Sequence, residues 1–218
     1  MPAFAEAVAA AAQAEFARFA GRDETDPDAI PLLREYWMAG AGLSAASANR
    51  MIADREPWSA AFISFVVLKA LTESKSRAVF PQSAGHWQYV GAAIRNDFNG
   101  APRPAFFGIP GTSDGSEPVQ VGDIVGTPRT TALDDYEDAL RKARKVKPDD
   151  QSYFSHFDVV VGIEAGKAQV IGGNVSQSVA RRPIRLASDG RLPVRGFTFE
   201  EDGDIAQAPF IALVRHLA

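Results

Sequence analysis

Three polar side chains, far apart in the sequence, are of types that could together carry out nucleophilic catalysis. Ser59 lies near the start of EPWSAAFISFVVLK, an apolar segment that predicts a buried helix. His156 opens the apolar segment HFDVVVGIE, and Asn174 ends the next one, KAQVIGGNV. A hydroxyl at a helix N-terminus gains from the helix dipole and the free backbone N–H groups. A histidine can take its proton, and a third polar group can hold the tautomer of that histidine.

Each of these residues also has a simpler interpretation. Ser59 could bond the free backbone N–H groups of its own helix, as many residues at helix N-termini do. His156 could be a buried residue with satisfied hydrogen bonds. Asn174 follows Gly172 and Gly173 and could be a turn residue that tolerates left-handed backbone geometry. The residues alone leave these alternatives open.

The composition excludes several other kinds of chemistry. The 218-residue chain contains no cysteine, which rules out disulfides, thiolate metal sites and a cysteine nucleophile. Its three histidines have no metal-ligand spacing, and we predict neither a metal site nor a cofactor. The net charge is −4, and the basic run RKARKVK follows the acidic LDDYEDAL on a predicted helix. Nucleic acid is therefore not an expected partner.

The order of periodic segments predicts an α+β fold. The first hundred residues are helical in pattern, and the later ones alternate as strands do, which places helices on one side of an antiparallel sheet. We predict an N-terminal helical extension over residues 1–50 and a main domain over residues 51–218. The predicted helices are 3–20, 28–40, 44–54, 57–71, 84–98 and 132–146; the predicted strands are 119–127, 156–164, 167–175, 194–200 and 209–217. Residues 99–118 are rich in Gly and Pro and predict a long loop.

Three segments together resemble a known superfamily. EPWSAAFISFVV is similar to the nucleophile helix of bacterial papain-like peptidoglycan hydrolases of the NlpC and CHAP kind, whose motif is Trp-Cys-small-small-Phe-apolar. PVQVGDIV resembles their Gly-Asp strand, and HFDVVVGIEAGKAQVIGGN resembles their histidine strand, next strand and final polar residue. The resemblance covers residues 57–175. The segments WSAAFIS, SAGHWQYV and IGGN look like an uncharacterised bacterial branch with serine at the cysteine position.

The resemblance implies a papain-like fold and a hydrolase acting on amide bonds of cell-wall peptides. It implies Ser59 as nucleophile, His156 as base and Asn174 as the residue that orients His156, with Trp58 and His86 near a substrate groove. The departure is Ser59 itself, because a serine needs its base to remove a proton whereas a cysteine is partly ionised at neutral pH.

Two rival functions keep the same fold. One is a binding module for a cell-wall peptide or glycan that has lost turnover with the thiol. The other is an esterase or acyltransferase with Trp58, Phe62 and Trp87 in an apolar acyl pocket. Recovery of unchanged ligand would distinguish the binding module from a peptidase. Turnover of short esters without peptide cleavage would distinguish the esterase or acyltransferase. The sequence gives no indication of oligomeric state.

The expected location follows from the N-terminal segment. MPAFAEAVAAAAQAEFARFAG has no basic start and carries Glu6 within its apolar run, so it is a poor secretory signal. No apolar run approaches the roughly 18 residues of a membrane span. We expect synthesis in the bacterial cytoplasm. A cell-wall substrate would then require dedicated export machinery, phage-assisted lysis or a missing leader.

Overall fold

The protein is an α+β molecule in which helices cover one face of an antiparallel sheet. The computed structural model describes residues 3–112, 114–130, 133–194, 196, 198–201 and 204–218. The helices are α1 Phe4–Phe19, α2 Ile30–Glu35, α3 Ala45–Ala53, α4 Ser59–Ser74, α5 His86–Asn99, α6 Tyr136–Ala143 and the short α7 Pro148–Gln151; a π-helical turn, Tyr36–Gly40, continues α2. The strands are β1 Ala105–Pro110, β2 Ile124–Pro128, β3 Ser155–Glu164, β4 Lys167–Val175, β5 Ser178–Arg185, β6 Thr198–Glu201, β7 Asp204–Gln207 and β8 Ala212–Leu217.

The principal sheet is six-stranded, in the order β1-β8-β2-β3-β4-β5. Every neighbouring pair is antiparallel. Strands β3 and β4 form a hairpin whose turn places Ala165 and Gly166 at positive φ. Strands β6 and β7 form a separate two-stranded sheet. The β2–β3 register sets Thr127 opposite His156, which fixes where the histidine lies along the sheet.

The helices predicted from apolar periodicity are confirmed to within a few residues at their ends. On α1 the buried residues include Phe4, Val8, Ala12 and Phe19, one face of the helix. Helix α4 is buried over most of its length, consistent with its nearly continuous apolar sequence. Helix α6 begins at the Asp135 cap with acids in its first turn and bases in its last, as the charge order indicated.

The sheet contains strands that the sequence pattern did not predict. The segment predicted as a long loop, residues 99–118, contains β1, which pairs with β8 at the other end of the chain. Strand β5 was also not predicted, because its outward residues are arginines and its pattern lacks a continuous apolar run. The predicted strand 194–200 falls partly on residues 195 and 197, which lie outside the described part of the chain; β6 begins at Thr198.

The N-terminal helices and the rest of the molecule share one hydrophobic core. Phe4, Val8 and Phe19 of α1 belong to the same buried cluster as Phe62 of α4 and Phe157 of β3. The boundary predicted at residue 50 therefore does not coincide with a break in the core. Among the described residues, no helix has the length and apolar character needed to span a bilayer.

Candidate active site

Ser59 begins α4, and its side chain points to two imidazole rings instead of capping the helix. Its Oγ lies 3.0 Å from Nδ1 of His156 and 3.0 Å from Nε2 of His86. The start of α4 has no side-chain capping hydrogen bond, and Trp58 occupies the cap position. The hydroxyl is thus held by two groups that exchange protons, which argues against the interpretation of Ser59 as a helix cap.

His156 and Asp158 lie on one face of β3 because side chains alternate along a strand and the two are two residues apart. Nε2 of His156 lies 3.0 Å from Oδ1 of Asp158. The second oxygen of Asp158 accepts a 2.7 Å hydrogen bond from Nη2 of Arg182 on β5. Asp158 is fully buried, so these charge-assisted bonds balance the loss of water around the carboxylate.

Two glycines on β4 make room for this arrangement. A Cβ at Gly172 would lie 1.8 Å from Oδ1 of Asp158 and 3.1 Å from Nε2 of His156. A Cβ at Gly173 would lie 2.6 Å from the Cβ of Phe62 on α4. Gly172 therefore admits the carboxylate, and Gly173 lets the nucleophile helix pack closely on the sheet.

His86 extends the hydrogen-bond chain on the other side of the serine. It is the first residue of α5, and its Nδ1 contacts the hydroxyl of Tyr89 one turn later. The N-termini of α4 and α5 thus meet at Ser59 Oγ. Backbone N–H groups in the first turn of a helix have no partner within that helix, and both dipoles favour negative charge at this point.

The pKa shifts indicate which group donates at each hydrogen bond of the chain from Tyr89 to Asp158. Burial, and then the charge of His156, hold the pKa of His86 well below its ordinary value, so this ring is neutral near pH 7. Burial raises the pKa of Tyr89 well above its ordinary value, so the phenol keeps its proton. Burial opposes the charge of Asp158, but His156 and Arg182 together lower its pKa below the ordinary value.

One proton arrangement satisfies every member of this chain. The Tyr89 hydroxyl donates to Nδ1 of His86, and Nε2–H of His86 donates to the Ser59 oxygen. Ser59 O–H then donates to Nδ1 of His156, and Nε2–H of His156 donates to Asp158. The tautomers are inferred from these partners. In this arrangement His156 presents an unprotonated nitrogen to the serine, as a general base must.

The hydrogen-bonded residues Ser59, His86 and His156 line a cavity of about 420 Å³. This volume is typical of small-molecule and peptide sites. Its walls come from the segment after α2, the starts of α4 and α5, and the strand ends around β2 and β3. The lining side chains are Trp37, Met51, Glu56, Pro57, Ser59, Ala60, Ala84, His86, Trp87, Arg129, Thr130, Ser152, Tyr153, Phe154, Ser155, His156 and Asn174, together with Gly85. The mixture of aromatic walls and few charges suits a ligand that carries both apolar and polar groups.

One residue predicted for the site lies elsewhere. Trp58 is 2% exposed and lies in the core, where its Nε1 donates to Glu24 and its ring stacks on Phe19. It does not line the cavity of Ser59, because adjacent helix-start side chains point in different directions. Trp37 and Trp87 line the cavity instead.

Asn174 lines the cavity but does not hold the His156 ring. Both ring nitrogens are already engaged, by Ser59 and by Asp158, so the orienting contact belongs to Asp158. Asn174 has φ 57°, which fits its interpretation as a turn residue in left-handed geometry. The sequence did carry a signal for Asp158, since a lone carboxylate inside the apolar run FDVVV requires a buried partner.

Within the described ranges, no group of three or more His, Asp or Glu residues could hold a metal ion.

The chain belongs to a bacterial family described as "Uncharacterized protein conserved in bacteria (DUF2272)", whose model matches residues 24–215. The match includes α2 and α3 as well as Ser59, His86, His156 and Asp158. No curated protein and no solved structure matches the chain.

Proposed function

We propose that this member of the DUF2272 family is a serine-dependent hydrolase that cleaves an amide bond in a cell-wall peptide, on a papain-like fold of the NlpC and CHAP kind. The observation that carries the proposal is the Ser59–His156–Asp158 chain, with 3.0 Å at both of its contacts, opening into a cavity. A nucleophile, its base and an orienting carboxylate in this order form the arrangement that activates serine on several unrelated folds.

In acylation, Oγ of Ser59 attacks the scissile carbonyl carbon while Nδ1 of His156 takes the hydroxyl proton. Asp158 stabilises the imidazolium that forms. The carbonyl oxygen becomes an oxyanion beside the N-termini of α4 and α5, where free backbone N–H groups and Nε2–H of His86 are available as donors. His156 then gives its proton to the leaving amine as the C–N bond breaks, which leaves an acyl group on Ser59.

In deacylation, water replaces the departed amine. Nδ1 of His156 removes a proton from the water as its oxygen attacks the acyl carbon, and the same nitrogen returns the proton to Oγ of Ser59 when the ester bond breaks. The products are the carboxylic acid and the free enzyme. In this cycle His86 stays neutral and keeps its single Nε2–H, which agrees with a depressed pKa that disfavours uptake of a second proton.

The choice of a peptide substrate is supported by the shape and walls of the site. The exposed ring of Phe154 and the cavity-lining rings of Trp37 and Trp87 can pack on a peptide. The choice of a cell-wall peptide rests on the resemblance of residues 57–175 to peptidoglycan hydrolases, whose segments occur in the same order. The bacterial distribution of the family is compatible with it.

The proposal is tested by mass spectrometry of peptidoglycan fragments after incubation with the protein. We expect wild type to release fragments that carry a new carboxyl and a new amine, and Ser59→Ala to release none. Ser64→Ala is the matched control, because Ser64 lies buried on the same helix and donates to the carbonyl of Ser83, outside the cavity. A Ser59→Cys variant tests whether the site serves a thiol as well.

The outcomes separate the rival functions. Cleavage by the cysteine form alone would mean that the groove is intact but that serine does not turn over, which is the expectation for a binding module. Turnover of short esters without cleavage of any peptide would identify an esterase. Cleavage that persists in Ser59→Ala would overturn the mechanism.

A further inference from the structure

Arg129 brings an uncompensated positive charge to the wall of the cavity. It follows the end of β2, and its backbone N–H donates to the carbonyl of Phe154, which fixes it beside the start of β3. No carboxylate in the described part of the chain forms an ion pair with its guanidinium. A guanidinium in a ligand cavity without its own carboxylate is suited to bind an anionic ligand group in a bidentate manner.

The surroundings of Arg129 disfavour its positive charge. Although the residue is exposed as a whole, partial desolvation and then repulsion by Arg182 lower its pKa, and only Asp158 opposes them. Asp158 is itself occupied by Arg182 and His156. Arg129 also contributes, after burial and His156, to the low pKa of His86, so its charge acts on the catalytic chain.

A second, independent feature of the same wall is a buried hydroxyl without a hydrogen-bond partner. The Tyr153 hydroxyl is buried and meets no partner in the described ranges, and Tyr153 is one of the residues that line the cavity. Burial raises its pKa, so it keeps its proton and can donate. Ser155, two residues later, also lines the cavity, and its Oγ is likewise buried without a partner. A buried polar group without a partner costs free energy that a ligand oxygen can recover.

One acidic residue also faces this cavity. Glu56 lines its wall and a smaller adjoining cavity on the side of α3. Its charge disfavours an anion nearby, so it sets the direction in which an acidic ligand lies: toward Arg129 and Tyr153 and away from Glu56.

We propose that Arg129 and the Tyr153 hydroxyl form a subsite for a free carboxylate of the substrate, next to the bond that Ser59 attacks. The guanidinium binds the carboxylate and the phenol donates to one of its oxygens. The substrate class is therefore a peptide with an acidic group near the scissile bond. This inference rests on the proposed function for the identity of the peptide but not for the recognition of its charge.

The test compares two pools of peptidoglycan stem-peptide fragments, one with free carboxylates and one in which they have been converted to carboxamides. Binding is measured by calorimetry with the full-length Ser59→Ala variant, and turnover by mass spectrometry with active protein. We expect the free-carboxylate pool to bind about 10- to 100-fold more tightly. In the Ser59→Ala background, Arg129→Gln should reduce this ratio to about threefold or less, and Tyr153→Phe should reduce it partially.

Matched controls make the result specific. Arg185→Gln removes an exposed arginine at the end of β5, outside the cavity, and should leave the binding ratio unchanged. Glu56→Gln should raise the ratio, because it removes a repelling charge. Circular dichroism of each variant confirms that it is folded.

The two proposals fail in different ways. A carboxylate preference that depends on Arg129, without turnover by active protein, would support the subsite and overturn the hydrolase. Equal binding of both pools, or no binding of either, would overturn the subsite. A uniform loss of turnover on both pools in Arg129→Gln, with no change in the binding ratio, would assign Arg129 to the oxyanion and also overturn the subsite.

Discussion

Replacing Asp158 with asparagine exchanges one carboxylate oxygen for an NH₂ group and should reverse the tautomer of His156. Arg182 donates to Oδ2 of Asp158 over 2.7 Å and needs an acceptor there, so the amide oxygen of the asparagine takes that position. The NH₂ group then occupies the Oδ1 position, 3.0 Å from Nε2 of His156, and donates to it. The ring proton moves to Nδ1, which can no longer accept the proton of Ser59.

The expected effect on turnover is large. Loss of the correct tautomer in a serine triad lowers kcat by roughly 10⁴-fold while leaving the geometry intact. We expect kcat of Asp158→Asn to fall by about 10³- to 10⁴-fold on any peptide that wild type cleaves. Binding of the uncleaved substrate should change little, because Asp158 is buried behind His156 and does not line the cavity.

The expected effect on stability is moderate. Removing one partner of a fully buried ion pair costs about 3–5 kcal/mol, but the Arg182 side chain is 28% exposed and partly hydrated, which reduces the cost to about 2 kcal/mol. For a domain of this size we expect Tm to fall by about 4–8 °C. Because the folded pKa of Asp158 lies below its ordinary value, this stabilisation is present at neutral pH and is lost as pH falls through the folded pKa.

The assay measures kcat and Tm of Asp158→Asn beside a matched control, Asp123→Asn. Asp123 is also buried and bonded to an arginine, Arg215, at 2.8 Å through both oxygens, but it lies outside the cavity. We expect the control to lose stability and keep kcat per folded molecule. Wild-type kcat in Asp158→Asn, or equal losses of kcat in both variants, would refute the assignment of Asp158.

Three further changes test other parts of the site. His86→Ala should lower kcat by about 10- to 100-fold, because one donor to the Ser59 oxygen and the oxyanion is lost; a change mainly in KM would instead assign His86 to substrate binding. Gly172→Ala should abolish turnover and lower the Tm, since its Cβ would overlap the Asp158 carboxylate; turnover at the wild-type rate would mean that the carboxylate lies elsewhere. Trp58→Phe should cost about 1 kcal/mol in unfolding free energy, measured by urea denaturation, through loss of its bond to Glu24; a substrate-specific rise in KM at unchanged stability would return Trp58 to the groove.

The sequence predicted the helices well because their signal is local. The apolar periodicity of α1 and the continuous apolar run of α4 each lie within a single segment. Strand β1 was missed because AFFGIP is short, is flanked by prolines and gains its stability from β8, about a hundred residues later. Such long-range pairing leaves little trace in a local pattern.

For the candidate site, the sequence predicted which residues lie together better than it predicted the contacts between them. Ser59, His86 and His156 were predicted, and the structure brings all three together. Asp158 was missed because the third polar group was sought on the neighbouring strand, while the alternation of side chains along β3 had already placed it beside His156. The position of Trp58 depends on the rotation of the helix start against α1, which adjacency in sequence does not reveal.

The most direct test of the central claim is covalent labelling of the protein with a fluorophosphonate, read by intact-protein and peptide mass spectrometry. We expect one adduct, on Ser59, that is absent in Ser59→Ala and forms much more slowly in His156→Gln. Ser76 is the internal control, because its Oγ lies 2.8 Å from Nε2 of His216 without lining the cavity. We expect no label there. No adduct on Ser59, or equal labelling of Ser59 in His156→Gln, would contradict the claim that His156 activates this serine.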